Sequence, residues 1–114
     1  MVTIFGISNC DAVRKARRWL DGHGVEYTFH DVRKDGLSRT QLENWVQALG
    51  WENLLNRRGT TWRKLPESVR EGIDRRAAVK LMLEQPAMIR RPLLDLDSTL
   101  HLGFSEAAYN DLFA

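Results

Sequence analysis

Val2-Thr3-Ile4-Phe5-Gly6-Ile7-Ser8-Asn9-Cys10-Asp11-Ala12-Val13-Arg14-Lys15-Ala16-Arg17-Arg18-Trp19-Leu20 is the stretch on which the fold turns. Its first six residues are an apolar run of the length of a buried strand, and Asp11 to Leu20 reads as an amphipathic helix. Between them, in the strand-to-helix turn, sits the only cysteine of the chain, Cys10. Unpaired N–H groups and the positive end of the dipole at a helix start favour an anion. A thiol there is placed for a lowered pKa and nucleophilic reactivity. A free cysteine is equally at home as a small buried apolar residue. Position alone leaves both readings open.

Working outward, Gly22-His23-Gly24 stops the helix, and Val25 to Val32 alternates apolar with polar as a half-exposed strand does. The chain therefore opens β-α-β, which requires two parallel neighbouring strands joined by a right-handed crossover. Arg33-Lys34-Asp35-Gly36 is a turn. Ser38-Arg39-Thr40-Gln41 is a capping box for a helix with Leu42, Trp45, Val46 and Leu49 on one face, ended by Gly50. Trp51 to Asn56 fits a short helix, and Arg57 to Thr61 reads as loop. Pro66 opens a helical piece to about Gly72. Asp74 caps a helix that turns Ala78, Leu81 and Met82 inward and ends at Pro86. Leu93 to Leu96 and Thr99 to Leu102 are strands joined by a turn at Asp97-Ser98, so they form an antiparallel hairpin. Ser105 caps a last helix, with Phe104 and Tyr109 as its hydrophobic staple. The order βαβ then ββα, with a cysteine at the first strand-helix turn, predicts an α/β, thioredoxin-like fold with a mixed four-stranded sheet. One domain is expected over 1–114, with a helical insertion at about 37–85 forming a lobe packed beside the sheet.

The chain has 114 residues, with 17 Lys and Arg against 15 Asp and Glu, a formal net charge of +2. That balance is too weak to argue for nucleic acid. Basic pairs and runs occur at 14–18, 57–58, 75–76 and 90–91. The first and third read as solvated helix faces. Arg57-Arg58 and Arg90-Arg91 fall in loops beside glycine or proline, where arginines are more often aimed at something. The start lacks a basic n-region and a long apolar run, so a cytoplasmic chain without membrane partners is expected. One cysteine makes no internal disulfide. If Cys10 turns over, the resolving thiol comes from outside.

Four segments together resemble one family: Gly6 to Asp11, Tyr27 to Gly36, Leu54 to Leu65, and Met88-Ile89-Arg90-Arg91-Pro92-Leu93. In order and spacing the chain resembles the arsenate-reductase-like ArsC/Spx family, and within it the YffB branch. The resemblance spans nearly the whole chain, and it favours the nucleophilic reading of Cys10. It implies the thioredoxin-like domain with a helical insertion, and a cis peptide before Pro92, beside the cysteine loop. It implies that Arg91 faces the thiol, where its guanidinium would stabilise a thiolate and hold an oxyanion or carboxylate bidentately. Arsenate reductases of the family use arginines at two further places, where this chain has Asn56 and Gly103. Members of the YffB branch are thought to be glutathione-dependent thiol reductases.

The expected function is accordingly a monothiol reductase without a bound cofactor, using glutathione as cosubstrate. Cys10 and Arg91 carry the chemistry. Ser8 and Asn9 shape the turn, Pro92 walls the site, and Arg58 and Arg90 meet the anionic ends of glutathione. Glutaredoxin or an oxidised protein thiol are further partners, and a monomer is expected. Two alternatives stand beside it: an arsenate reductase with glutathione and glutaredoxin, and an Spx-like regulator that binds the α-subunit of RNA polymerase. The Spx branch commonly carries a Cys-x-x-Cys switch, and here Val13 stands where its second cysteine would be. His23, His30 and His101 show no metal-ligand spacing, so no metal is expected. Of the four tryptophans, Trp19 and Trp45 belong to the core, and Trp62 alone is placed to wall a site.

Overall fold

The computed structural model describes residues 1–97 and 99–114. Ser98, half of the expected Asp97-Ser98 turn, lies outside the described residues. The chain divides into two compact units, residues 1–35 with 91–114, and residues 36–90.

The first unit is built on a sheet, four-stranded among the described residues, in the order β2-β1-β3-β4. β1 (Val2–Gly6) is central and pairs in parallel with β2 (Tyr27–Asp31), Val2 opposite Tyr27 and Gly6 opposite Asp31. On its other side it pairs antiparallel with β3 (Leu93–Asp95), which continues antiparallel into β4 (Leu100–Leu102). Successive side chains of a strand point to opposite faces, so burial at consecutive positions means that both faces are covered. Ile4, Phe5 and Gly6 are all buried. This is the mixed sheet of a thioredoxin-like α/β fold.

α1 (Asp11–Gly22) buries Val13, Ala16, Trp19 and Leu20, a stripe at helical spacing. It ends as Gly22-His23-Gly24 predicts: Gly24 N–H bonds to Asp21 O at 3.2 Å and Val25 N–H to Leu20 O at 3.0 Å, a Schellman closure. α7 (Glu106–Leu112) starts at Ser105, whose hydroxyl accepts from Ala108 N–H at 3.1 Å. The staple forms too, with the Phe104 and Tyr109 rings 4.7 Å apart and edge-on. Ile4, Ala16, Trp19, Leu20, Leu94 and Tyr109 make the core. Each large aliphatic among them contributes about 1.5–3 kcal/mol by leaving water.

The second unit is nearly all helical: α2 (Arg39–Leu49), α3 (Trp51–Leu54), α4 (Thr60–Arg63), α5 (Glu67–Glu71), α6 (Arg75–Glu84) and a 3₁₀ turn at Pro86–Met88. Ser38 caps α2 by accepting from Gln41 N–H, and Asp74 caps α6 by accepting from Ala77 N–H, as their sequences predict. Thr60-Thr61, expected as loop, is instead the start of α4. Its hydrogen bonds run from Arg63 N–H to Gly59 O and from Lys64 N–H to Thr60 O, and burial of Trp62 secures a turn that two β-branched threonines disfavour. On α6 Val79 is buried along with Ala78 and Met82, whereas Leu81, expected inside, is half-buried. A Leu55–Ile89 bridge, with Asn56 N–H to Met88 O at 2.7 Å and Arg90 N–H to Leu54 O at 2.8 Å, clips the unit's last segment onto the end of α3.

Among the described residues no helix is long and apolar enough to cross a membrane.

Candidate active site

Cys10 is the N-cap of α1, in extended conformation, with its own C=O accepting the first helical bond from Arg14 N–H at 3.0 Å. Its side chain makes no formal capping hydrogen bond. It stands at the helix start, where the N–H groups of the first turn bear on its charge. Burial pushes the thiol pKa up. The Val13 N–H, the Arg91 guanidinium by hydrogen bond and by charge, and the Ala12 N–H pull it down, and together they prevail, leaving it below the ordinary 9.0. Cys10 is half-buried, so it keeps access to solvent. A half-buried side chain is not a core filler.

The strand end fixes where those amides point. An added Cβ at Gly6 would lie 2.6 Å from Val13 Cγ2. Only glycine lets the fully buried Val13 sit so close to the end of β1. Asp11, in the first turn, is paired with Arg14, whose guanidinium also reaches Ser8 O at 3.5 Å.

Arg91 and Pro92 enter from the segment before β3, and the peptide bond between them is cis, as the resemblance implies. Pro92 is fully buried, and its carbonyl accepts from Gly103 N–H at 2.8 Å. Ser8 and Asn9 are exposed and line, with Ile7, Asp31, Arg33 and Lys34, a cavity of about 380 Å³. The donors acting on the sulfur are Val13, Ala12 and Arg91, with Ser8 and Asn9 absent from that set.

Arg58 and Arg90 belong to the second unit. They line one cavity of about 340 Å³ with Glu52, Leu55, Asn56 and Arg57. Arg90 donates to Asn53 O at 3.4 Å, and Arg57 lies over the rings of Trp51 and Trp62 at 5.4 and 5.9 Å. Trp62 itself is 8% exposed, a core residue of this unit. Asn56 uses its side-chain oxygen to accept from Arg58 N–H at 3.0 Å, which turns the loop. In the first unit, Gly103 has φ +84, a conformation an arginine rarely adopts. Asn56 and Gly103 thus have backbone duties here that suit Asn and Gly.

Two contributors escape the sequence reading. The amides of Ala12 and Val13 have no side-chain signature. Asp31, 4% exposed, accepts from Arg33 and Lys34 N–H at 2.9 and 3.0 Å and from Ser8 N–H at 3.3 Å. Those N–H groups hold its carboxyl below the usual range despite burial, which alone would raise it. The available signal was an Asp opening a polar turn, a common Asx-turn pattern. In an alternating strand it passes for an outward-facing polar residue.

The model of the ArsC family matches residues 5–112 of this chain. An uncharacterized protein of Haemophilus influenzae is 41% identical over 114 residues, covering 100% of both chains. The global transcriptional regulator Spx of Streptococcus pyogenes is 31% identical over 108 residues, 93% of this chain and 80% of that one. Among solved structures, a YffB protein superposes with a TM-score of 0.95 at 44% identity over 100% of both chains. An arsenate reductase (ArsC) related protein from Brucella melitensis gives 0.82 at 52% identity, over 98% of this chain and 93% of that one. With a cysteine at the start of α1 and a family model that matches residues 5–112, the chain belongs to the ArsC family of thiol-based redox proteins.

Proposed function

We propose that the protein is a glutathione-dependent monothiol reductase. The Cys10 thiolate attacks the glutathione sulfur of a substrate–glutathione mixed disulfide, forming a Cys10–glutathione disulfide and expelling the substrate thiolate, which takes up a proton. A second glutathione thiolate then attacks the glutathione sulfur of the Cys10–glutathione disulfide. The Cys10 thiolate is released with oxidised glutathione. Electrons balance: one disulfide is consumed, one is made, and two glutathione sulfurs leave joined.

The observation that carries this reading is the lone thiol with its depressed pKa and solvent access, in a chain without a second cysteine. Such a thiol attacks well and cannot resolve itself. Arg91 holds the thiolate form. Arg58 and Arg90 line an arginine-rich cavity of the second unit, a lining that suits carboxylates. The positions held by Asn56 and Gly103 weigh against arsenate as the principal substrate. Cys10→Ser is expected to abolish thiol transfer from a glutathione mixed disulfide and the glutathione adduct seen by intact mass. Transfer at the wild-type rate by that variant would overturn the proposal.

The 31% identity to Spx supports one rival, an adaptor that binds the α-subunit of RNA polymerase. Val13 in place of a second cysteine removes a thiol-disulfide switch from that reading and leaves binding itself to be tested. If this chain captures the C-terminal domain of the polymerase α-subunit, and Cys10→Ser leaves capture unaffected, the adaptor reading is favoured.

A further inference from the structure

Asp31 closes β2, directly opposite Gly6 at the end of β1, and its carboxylate is nine-tenths and more buried. The two oxygens do different things. Oδ1 accepts from both Arg33 N–H and Lys34 N–H, at 2.9 and 3.0 Å. Oδ2 accepts from Ser8 N–H at 3.3 Å, two residues before Cys10. Asp35 completes the turn from the other side: its carboxylate accepts from Asp31 N–H at 3.0 Å and its N–H donates to Asp31 O at 2.8 Å.

A turn after β2 needs only Oδ1, and an asparagine would serve it. The second acceptor is what distinguishes a carboxylate. It ties the cysteine loop to β2, across a span where β1 has ended and α1 has not begun. Desolvating a carboxylate is costly unless its lone pairs are used, and here both oxygens are used.

We propose that Asp31 is a positioning residue for the nucleophile: its Oδ2 link to Ser8 holds the Ser8–Cys10 loop so that the first-turn amides and Arg91 converge on the Cys10 sulfur. The proposal rests on Cys10 being the nucleophile. Asp31 touches no reacting atom. Removing a negative charge by itself could only lower a thiol pKa, so positioning and charge make opposite predictions for its removal.

Asp31→Asn separates them, since the amide oxygen can keep the Arg33 and Lys34 bonds while the amide nitrogen meets Ser8 N–H donor to donor. The measurement is the pH profile of Cys10 alkylation by iodoacetamide on the full chain, with circular dichroism confirming that the variant is folded. The thiol pKa of Asp31→Asn is expected to rise by about half a unit, which slows alkylation roughly threefold at pH values below both pKa values. An unchanged or lowered pKa in the folded variant would overturn the proposal. If the variant does not fold, hydrogen exchange on the wild-type protein decides: a protected Ser8 amide supports the link, and a Ser8 amide exchanging at the rate of a free peptide overturns it. A wild-type thiol with an ordinary pKa would instead sink the reductase reading, so the two failures are distinguishable.

Discussion

Cys10 owes its chemistry to groups that are not its own. Burial works against its thiolate, and the Val13 and Ala12 amides with the Arg91 guanidinium reverse that. The sign of the balance is decided by geometry, because desolvation and these donors act on the same charge. Tyr109 shows the opposite case. Its ring is fully buried against Trp19 and Phe104, and its hydroxyl is buried with no hydrogen-bond partner among the described residues. Burial raises its phenol pKa above the usual 10.0. An unpaired buried hydroxyl costs about 1–3 kcal/mol, and the ring contacts survive its removal. Tyr109→Phe should therefore leave the protein at least as stable, by up to about 1 kcal/mol more. Urea unfolding checks this, and a loss of stability would show that the hydroxyl is bonded.

Between elements, the contact that sets the site is β1 against the first turn of α1. Gly6→Ala would place a methyl group 2.6 Å from Val13 Cγ2, a clash expected to cost about 1–3 kcal/mol. It also moves Val13, whose N–H is among the groups that pull the thiol pKa down. Val13→Ala in the same chain relieves the clash, so the double variant should be less destabilised than the sum of the two singles. Additive losses in denaturant unfolding would show that Gly6 and Val13 are not in contact. The elements themselves were legible because their signals are local: apolar spacing in β1 and α1, Ser38, Asp74 and Ser105 as caps, and glycine at the end of α1. α4 was not, because Thr60-Thr61 argues against helix and burial of Trp62 overrides it. The Asp31 link to Ser8 was not legible either, since it joins residues 23 apart. Arg91 came from resemblance alone, for nothing local ties it to a thiol 81 positions earlier.

For the molecule as a whole, composition says more about the cycle than about the substrate. A net charge of +2 spread over 17 basic and 15 acidic residues gives no single-sign field. In the proposed cycle a solitary cysteine needs an outside thiol at every turnover. The family match over residues 5–112 places the chain among ArsC-family proteins without naming its substrate. All of this depends on the Cys10 thiol having a lowered pKa. The direct test is to titrate it on the wild-type protein, following alkylation rate against pH and then recording the intact mass after exposure to oxidised glutathione. A midpoint below 9.0 with one glutathione per chain is the predicted result; a midpoint at or above that value with no adduct would contradict it.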